Sequence, residues 1–139
     1  MEFTINLLPN QQCIHFIDRV MEAYMFTYNL PYEKEICFVV HELIINSVEA
    51  MEGAQIDETE TIEITVSYKD EELVISVIDK AGGIPENDWD EVVQYDLENF
   101  EFSDRGRGLF FVRNMVDSLL FKYVSETKFL VQVSKKIAL

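Results

Sequence analysis

The feature that most limits the possible folds is a run of apolar residues in the middle of the chain. Residues 73–78 read Leu-Val-Ile-Ser-Val-Ile. A nearly continuous run of this kind is typical of a strand at the centre of a sheet. Asp79 follows directly, and the pair Gly82-Gly83 comes shortly after it. The sequence therefore predicts a central strand that brings a carboxylate and a glycine turn to one end of a sheet.

Other segments supply partners for this strand. Thr61 to Tyr68 alternates apolar and polar residues, which predicts a strand with one covered face, and Lys69-Asp70-Glu71 predicts a hairpin turn. Three further strands are predicted at Phe3 to Leu8, Leu119 to Val124 and Lys128 to Ser134. Apolar residues with helical spacing predict helices over Gln11 to Tyr28, Tyr32 to Met51 and Leu109 to Asp117. These elements indicate a two-layer α/β sandwich with a mixed sheet.

Composition limits the possible partners. The 139 residues, 48% of them hydrophobic, are expected to form one domain, 1–139, with its own core. A net charge of -15 argues against binding to nucleic acid or to anionic membranes. It suits a partner with a basic face, although acidity alone also keeps a protein soluble.

The compartment is inferred from the termini and the cysteines. The segment Met1-Glu2-Phe3-Thr4 lacks the basic and apolar regions of a secretory signal, and no apolar run is long enough to cross a bilayer. Cys13 and Cys37 lie beside apolar residues in predicted helices, so we expect buried, reduced thiols. Together these features predict a cytoplasmic protein.

Two polar residues interrupt the apolar pattern of the second predicted helix. Glu42 and Asn46 are four residues apart, which places both side chains on one helix face. Such a pair can aim a carboxylate and an amide oxygen into one pocket, and a solvated helix face is the alternative. His41-Glu42 also begins a zinc-protease motif, but that motif requires histidine at position 45, where the chain has Ile45.

A basic, glycine-rich stretch precedes the last predicted helix. Cations and glycines alternate in it: Arg105, Gly106, Arg107 and Gly108. Backbone N–H groups freed by glycines and the positive end of a helix together form a phosphate site, and guanidinium groups would neutralise phosphate charge. A plain turn, with the arginines paired to neighbouring acidic residues, is the alternative.

The segment before this stretch has an unusual charge. Residues 86–104 contain eight acidic residues and no basic one, with scattered aromatic residues that include Trp89. Long connections without clear periodicity are often functional lids. We therefore predict a lid here, with a fixed surface for a protein partner as the alternative.

Three motifs occur in a telling order: Glu42-x-x-x-Asn46, then Asp79-Lys80-Ala81-Gly82-Gly83-Ile84, then the glycine-rich stretch. This arrangement resembles the GHKL family of ATPases, which includes histidine kinases, gyrase and anti-sigma-factor serine kinases. The resemblance covers nearly the whole chain. It is nearest to the anti-sigma kinases, because Gly106 to Asp117 looks like their glycine-rich box and following helix. The implied architecture is the Bergerat ATP-binding fold, a mixed, mainly antiparallel sheet covered by helices on one face.

The resemblance implies ATP and Mg²⁺ as cofactors and suggests a role for each motif residue. Asn46 would coordinate Mg²⁺, and Glu42 would be the catalytic base that deprotonates a serine hydroxyl or a water. Asp79 would accept a hydrogen bond from the adenine amine, Gly83 would let the backbone approach the base, and Thr127 would support the adenine pocket. The phosphates would be bound by Arg105, Gly106, Arg107 and Gly108.

The chain departs from the family pattern at two positions near the implied adenine pocket. Ala81 stands where the first glycine of Asp-x-Gly-x-Gly is usual, so a positive φ at that position would strain the loop. Glu126 replaces the glycine that usually precedes the threonine. The departure at Ala81 bears on the affinity for adenine.

The resulting hypothesis is an ATP-binding regulator of the anti-sigma-factor type. It would be a serine/threonine kinase that phosphorylates a small anti-sigma antagonist protein, holds a sigma factor inactive and forms a homodimer. Two alternatives keep the same fold. One is a non-catalytic switch whose partner affinity depends on ATP or ADP, and the other is an interaction protein that has lost nucleotide binding.

Overall fold

The computed structural model describes residues 1–57, 59–83, 86, 89 and 104–139, without the side chains of residues 104–107. Five described strands form a sheet in the order β1-β2-β3-β5-β4. Their bounds are β1 Glu2–Leu7, β2 Ile62–Lys69, β3 Glu72–Asp79, β4 Ser118–Tyr123 and β5 Phe129–Lys136. The apolar run of the sequence is thus the middle strand, β3, as predicted.

The pairing of the strands is antiparallel throughout the described sheet. A mixed, mainly antiparallel sheet was expected. Each of the four described strand pairings is antiparallel. Strands β2 and β3 are joined by a tight turn in which Asp70 (φ 53°) and Glu71 (φ 62°) both adopt left-handed conformations. Such a turn matches the twist of a hairpin. The register places Asp79 directly opposite Phe129.

Three described helices accompany the sheet: α1 Gln11–Thr27, α2 Glu33–Gly53 and α3 Asp104–Met115. The side chain of Asn10 caps α1 by accepting a 2.9 Å hydrogen bond from the backbone N–H of Cys13. Gly53 is the last residue of α2, two residues beyond the predicted end at Met51, and Ala54 is the cap. Helix α3 begins at Asp104 rather than at the predicted Leu109. The glycine-rich stretch therefore forms its first turns.

The core lies between the helices and one face of the sheet. Alternate residues of the three inner strands are buried there: Ile62, Ile64, Val66, Leu73, Ile75, Val77, Phe129, Val131 and Val133. Helix α2 contacts α1, α3, β2 and β3, so its buried residues extend over a wide face. The opposite face of the sheet is less buried and mixed in character, with Val74, Ile78 and Leu130 beside the hydrogen-bonded pair Ser76 and Gln132. The predicted α/β sandwich, helices on one face, is confirmed.

None of the described helices combines the length and the apolar character needed to cross a membrane.

Candidate functional site

The end of β3 carries a buried carboxylate. Asp79 is only 2% exposed. Its Oδ2 accepts a 2.7 Å hydrogen bond from the hydroxyl of Ser47 on α2, and its Oδ1 accepts a 3.0 Å bond from the backbone N–H of Ala81. Burial penalises a charged carboxylate unless donors surround it. The two donors therefore fix the orientation of the Asp79 side chain.

The loop after Asp79 solves the problem that Ala81 posed. Positive φ values occur at Gly82 (88°) and Gly83 (75°), and Ala81 is not among the residues with positive φ. The expected strain at Ala81 therefore does not arise, because the left-handed conformations fall on the two glycines. A Cβ at Gly83 would lie 2.5 Å from Cδ1 of Phe129. The close approach that requires glycine here is thus an approach to an aromatic ring of the protein itself.

An aromatic cluster lies beside this loop. Its members among the described residues are Trp89, Phe121, Tyr123 and Phe129, whose contacting rings have centroids 5.1 to 6.2 Å apart. The hydroxyl of Tyr123 donates a 2.9 Å hydrogen bond to the carbonyl oxygen of Gly82. Sequence reasoning missed this cluster. Its signal was the pair of consecutive strands predicted at Leu119 to Val124 and Lys128 to Ser134, since a hairpin centred on Glu126 pairs Tyr123 with Phe129, as observed.

The second part of the site lies on α2, where it faces α3. Glu42 is half-buried and Asn46 is 6% exposed. A Cβ at Gly108 would clash with Oε2 of Glu42 and would lie 3.4 Å from Nδ2 of Asn46. The two side chains therefore share one helix face, as predicted, and the burial of Asn46 excludes a solvated face. Nδ2 of Asn46 is buried without a hydrogen-bond partner among the described residues.

The order of the motifs and the geometry of the site agree with a match to a protein family that covers most of the chain. Residues 32–133 match the family of histidine kinase-, DNA gyrase B- and HSP90-like ATPases. The chain belongs to this ATPase family. No curated protein matches the chain.

Solved structures share the fold at low sequence identity. The RsbU and RsbW domains of Rv1364c from Mycobacterium tuberculosis align with a TM-score of 0.69 and 13% identity, over 99% of this chain and 32% of that one. The SiaB–SiaC complex from Pseudomonas aeruginosa gives a TM-score of 0.65 and 12% identity, over 98% and 89%. The mycobacterial sensor histidine kinase MprB gives 0.60 and 12%, over 97% and 98%. The chain spans about a third of the length of the Rv1364c structure.

The residues on α2 fit the nucleotide and metal that membership of this ATPase family implies. A buried polar atom without a partner costs free energy, and a ligand that supplies the partner removes that cost. Rotation of the Asn46 amide by 180° would present Oδ1, a ligand type that Mg²⁺ accepts. Within the described residues, no group of three or more His, Cys, Asp or Glu side chains could hold a metal ion. Phosphate oxygens of a bound nucleotide would share a cation with Asn46, because Mg²⁺ in such sites is commonly bound by substrate phosphates.

The glycine-rich box of this chain has a different backbone conformation from the one expected. Gly106 and Gly108 were expected in a loop before the helix, whereas the backbone from Asp104 onward is helical. Packing of α3 against α2 accounts for this, because tertiary contacts override the weak helix propensity of glycine. The side chains of Arg105 and Arg107 lie outside the described residues, so their role with phosphates stays a prediction. Most residues of the predicted lid, 86–104, also lie outside the described residues.

The described hydrogen bonds of Thr127 are made with Ser125 and not with Asp79. Thr127 is exposed in the turn between β4 and β5, where its hydroxyl is 3.4 Å from the hydroxyl of Ser125. The hydroxyl that reaches Asp79 belongs to Ser47 instead. The sequence does contain this residue directly after Asn46, but nothing local indicated that it would meet the end of β3.

Proposed function

We propose that the chain is an ATP-binding regulator of the anti-sigma-factor type, a cytoplasmic serine/threonine kinase that phosphorylates a small antagonist protein. The observation that carries the proposal is Nδ2 of Asn46, buried beside the carboxylate of Glu42 and without a hydrogen-bond partner among the described residues. The buried carboxylate of Asp79 supports the nucleotide part. The similarity in fold to an RsbW domain and to the SiaB–SiaC complex supports the regulatory part.

Each residue of the chain would have a defined task. Bound Mg-ATP supplies the phosphoryl group and the charge of the metal. Glu42 would take the proton from the acceptor hydroxyl as that oxygen bonds to phosphorus, and ADP would leave with the electron pair of the broken P–O bond. Asn46 would hold the metal, and Asp79 would accept a hydrogen bond from the adenine amine. Phosphate oxygens would be bound at the N-terminus of α3 by Arg105, Gly106 and Arg107, and Gly108 would leave room beside Glu42 and Asn46.

The test separates binding from chemistry. Calorimetric titration should show that the parent protein binds Mg-ATP more tightly than Mg-GTP, and that Asp79→Asn loses most of this preference. Asn46→Ala should lose the Mg²⁺-dependent part of binding. Glu42→Gln should bind nucleotide and fail to transfer phosphate, because an amide cannot take the proton. Glu49→Gln, an exposed position on the same helix, is the matched control and should behave like the parent. Absence of any nucleotide binding by the parent would refute the proposal.

One observation favours a second candidate, a non-catalytic switch of the same fold. Helix α3 lies so close to Glu42 that a Cβ at Gly108 would clash with its carboxylate. This packing leaves little room for an acceptor hydroxyl between Glu42 and α3. Nucleotide binding without phosphate transfer, with partner affinity that differs between ATP and ADP, would favour the switch over the kinase.

The proposed partners are a sigma factor and a small antagonist, bound by a homodimer of this chain. A partner with a basic surface would complement the net charge of -15. Sedimentation at high micromolar concentration should show a dimer, and a monomer would remove that part of the proposal. A titration with a purified candidate antagonist, with ATP and then with ADP, tests the partner directly.

A further inference from the structure

Among the described residues, three contacts hold the loop that would face the base. Oδ1 of Asp79 accepts a hydrogen bond from Ala81, the backbone of Gly83 lies against the ring of Phe129, and the carbonyl of Gly82 accepts a bond from Tyr123. Of these, the Tyr123 bond is the polar contact that comes from another strand. It links the loop after β3 to β4.

The loop needs such a tie because of its composition. Two consecutive glycines with positive φ have more backbone freedom in the absence of restraints than any other pair of residues. A restraint on the carbonyl of Gly82 limits the orientation of the peptide between Gly82 and Gly83. The hydroxyl of Tyr123 supplies that restraint, although 40% of the residue is exposed.

The ring of Tyr123 is itself held in place. It lies 5.1 Å from the ring of Phe129 and 5.8 Å from that of Trp89, with which it makes an angle of only 27°. Packing against these two rings restricts the orientations of the Tyr123 ring and so the positions that its hydroxyl can take. A preorganised donor costs little entropy when it binds the loop.

We infer that Tyr123 is a positioning residue for base recognition, which acts through the carbonyl of Gly82 to set the loop beside Asp79. The inference rests on the proposed function, since it assigns Tyr123 to the same nucleotide site. The Tyr123 hydroxyl should therefore affect the binding of the base and leave the binding of the phosphates unchanged. The loss of one hydrogen bond that restrains the loop should weaken Mg-ATP binding about 2- to 10-fold.

The experiment compares two ligands and two tyrosine hydroxyls. Tyr123→Phe removes the hydroxyl and keeps the ring. The matched control is Tyr68→Phe, because the hydroxyl of Tyr68 donates to the carbonyl of Ile137, far from Asp79 along the sheet. Calorimetry with Mg-ATP and with Mg-tripolyphosphate, which has no base, should show weaker ATP binding by Tyr123→Phe only. Tripolyphosphate binding should be equal in all three proteins.

Each outcome has a separate meaning. Equal ATP affinity in Tyr123→Phe and the parent, or equal weakening of both ligands, overturns the inference and leaves the proposed function standing. A parent that binds neither ligand removes the proposed function, and the inference with it. A second measurement uses the ligand-free protein: amide relaxation by NMR should show faster motion at Gly82 and Gly83 in Tyr123→Phe than in Tyr68→Phe. Unchanged loop motion would also count against the inference.

Discussion

The hydroxyl of Ser47 on α2 lies 2.7 Å from Oδ2 of Asp79 at the end of β3, and both residues are buried. This one hydrogen bond joins the helix that carries Glu42 and Asn46 to the strand that carries the proposed base-binding carboxylate. A side chain that is itself neither an acid nor a base therefore helps to hold the two halves of the site in position.

Removal of this hydroxyl should destabilise the fold. Ser47→Ala leaves a buried carboxylate with one donor fewer, and we expect the free energy of unfolding to fall by about 1–3 kcal/mol. Urea denaturation followed by circular dichroism measures the change. Ser76→Ala is the control. The hydroxyl of Ser76 donates a 2.9 Å hydrogen bond to Gln132 on the face of the sheet opposite the core, so its removal should lower the free energy of unfolding by less than about 1 kcal/mol. Equal losses in the two variants would contradict the role given to Ser47.

The two glycines after Asp79 should differ in their tolerance of alanine. Both have positive φ, so either substitution incurs a left-handed strain of about 1–2 kcal/mol. Nothing lies within 4 Å of a Cβ at Gly82, whereas a Cβ at Gly83 would lie 2.5 Å from the ring of Phe129. Gly83→Ala should therefore lower the free energy of unfolding clearly more than Gly82→Ala in urea titrations. A loss as small as that of Gly82→Ala would show that Phe129 can move aside.

Gly108→Ala should separate activity from stability. Alanine favours a helix over glycine by about 1 kcal/mol, which offsets the displacement of the flexible Glu42 side chain. We expect a free energy of unfolding within about 1 kcal/mol of the parent and a phosphoryl-transfer rate lower by about 100-fold, since misplaced catalytic groups have effects of that size. Gly53→Ala, with nothing within 4 Å of its Cβ, should leave the transfer rate unchanged. If the two variants retain equal rates, the position of the Glu42 carboxylate does not limit transfer.

Cys37 should react slowly with alkylating reagents in the folded protein. Burial, and then the charges of Glu33, Glu22 and Asp18, raise the pKa of its thiol from 9.0 to about 11. The thiolate is the reactive species, so at pH 8 its population should be about 100-fold lower than that of an ordinary thiol. Iodoacetamide labelling with peptide mass spectrometry should show slow labelling of Cys37 in the native protein and fast labelling in urea.

The same shift of the Cys37 pKa affects stability at high pH. The folded state keeps the thiol proton to a higher pH than the unfolded state. The contribution of Cys37 to stability is therefore present below pH 9 and decreases between pH 9 and about 11. Cys37→Ser should reduce the slope of unfolding free energy against pH in that window. An unchanged slope would show that Cys37 does not carry the dependence.

Local patterns predicted the elements well, and they did so for a physical reason. Burial of one face imposes a period of two on Ile62–Lys69 and a helical period on Glu33–Gly53, and these periods are visible in the sequence. The start of α3 was placed five residues late, because two glycines oppose a helix locally and only the contact with α2 favours it. The turn at Lys69-Asp70-Glu71 was predicted correctly.

The candidate site was predictable in its motifs and not in its contacts. Glu42 and Asn46 share a face because the helix has a fixed period, but Ser47 meets Asp79 from 32 residues away along the chain. Contacts of this kind follow from how α2 packs on β3. The same holds for Phe129, which faces Gly83 because of the register between β3 and β5. Residues were recognisable where a period or a family motif fixes them.

The strand order β1-β2-β3-β5-β4 has a consequence for synthesis of the protein on the ribosome. Of the five described strands, β5 is the last to emerge from the exit tunnel, yet it lies between β3 and β4. The hairpin β2-β3 can form as soon as its residues are free, because its contacts are local. A nascent chain that ends before Phe129 would lack a strand in the interior of its sheet. Strand β4 would then have no described strand to pair with, and the ring that packs on Gly83 would not yet be present.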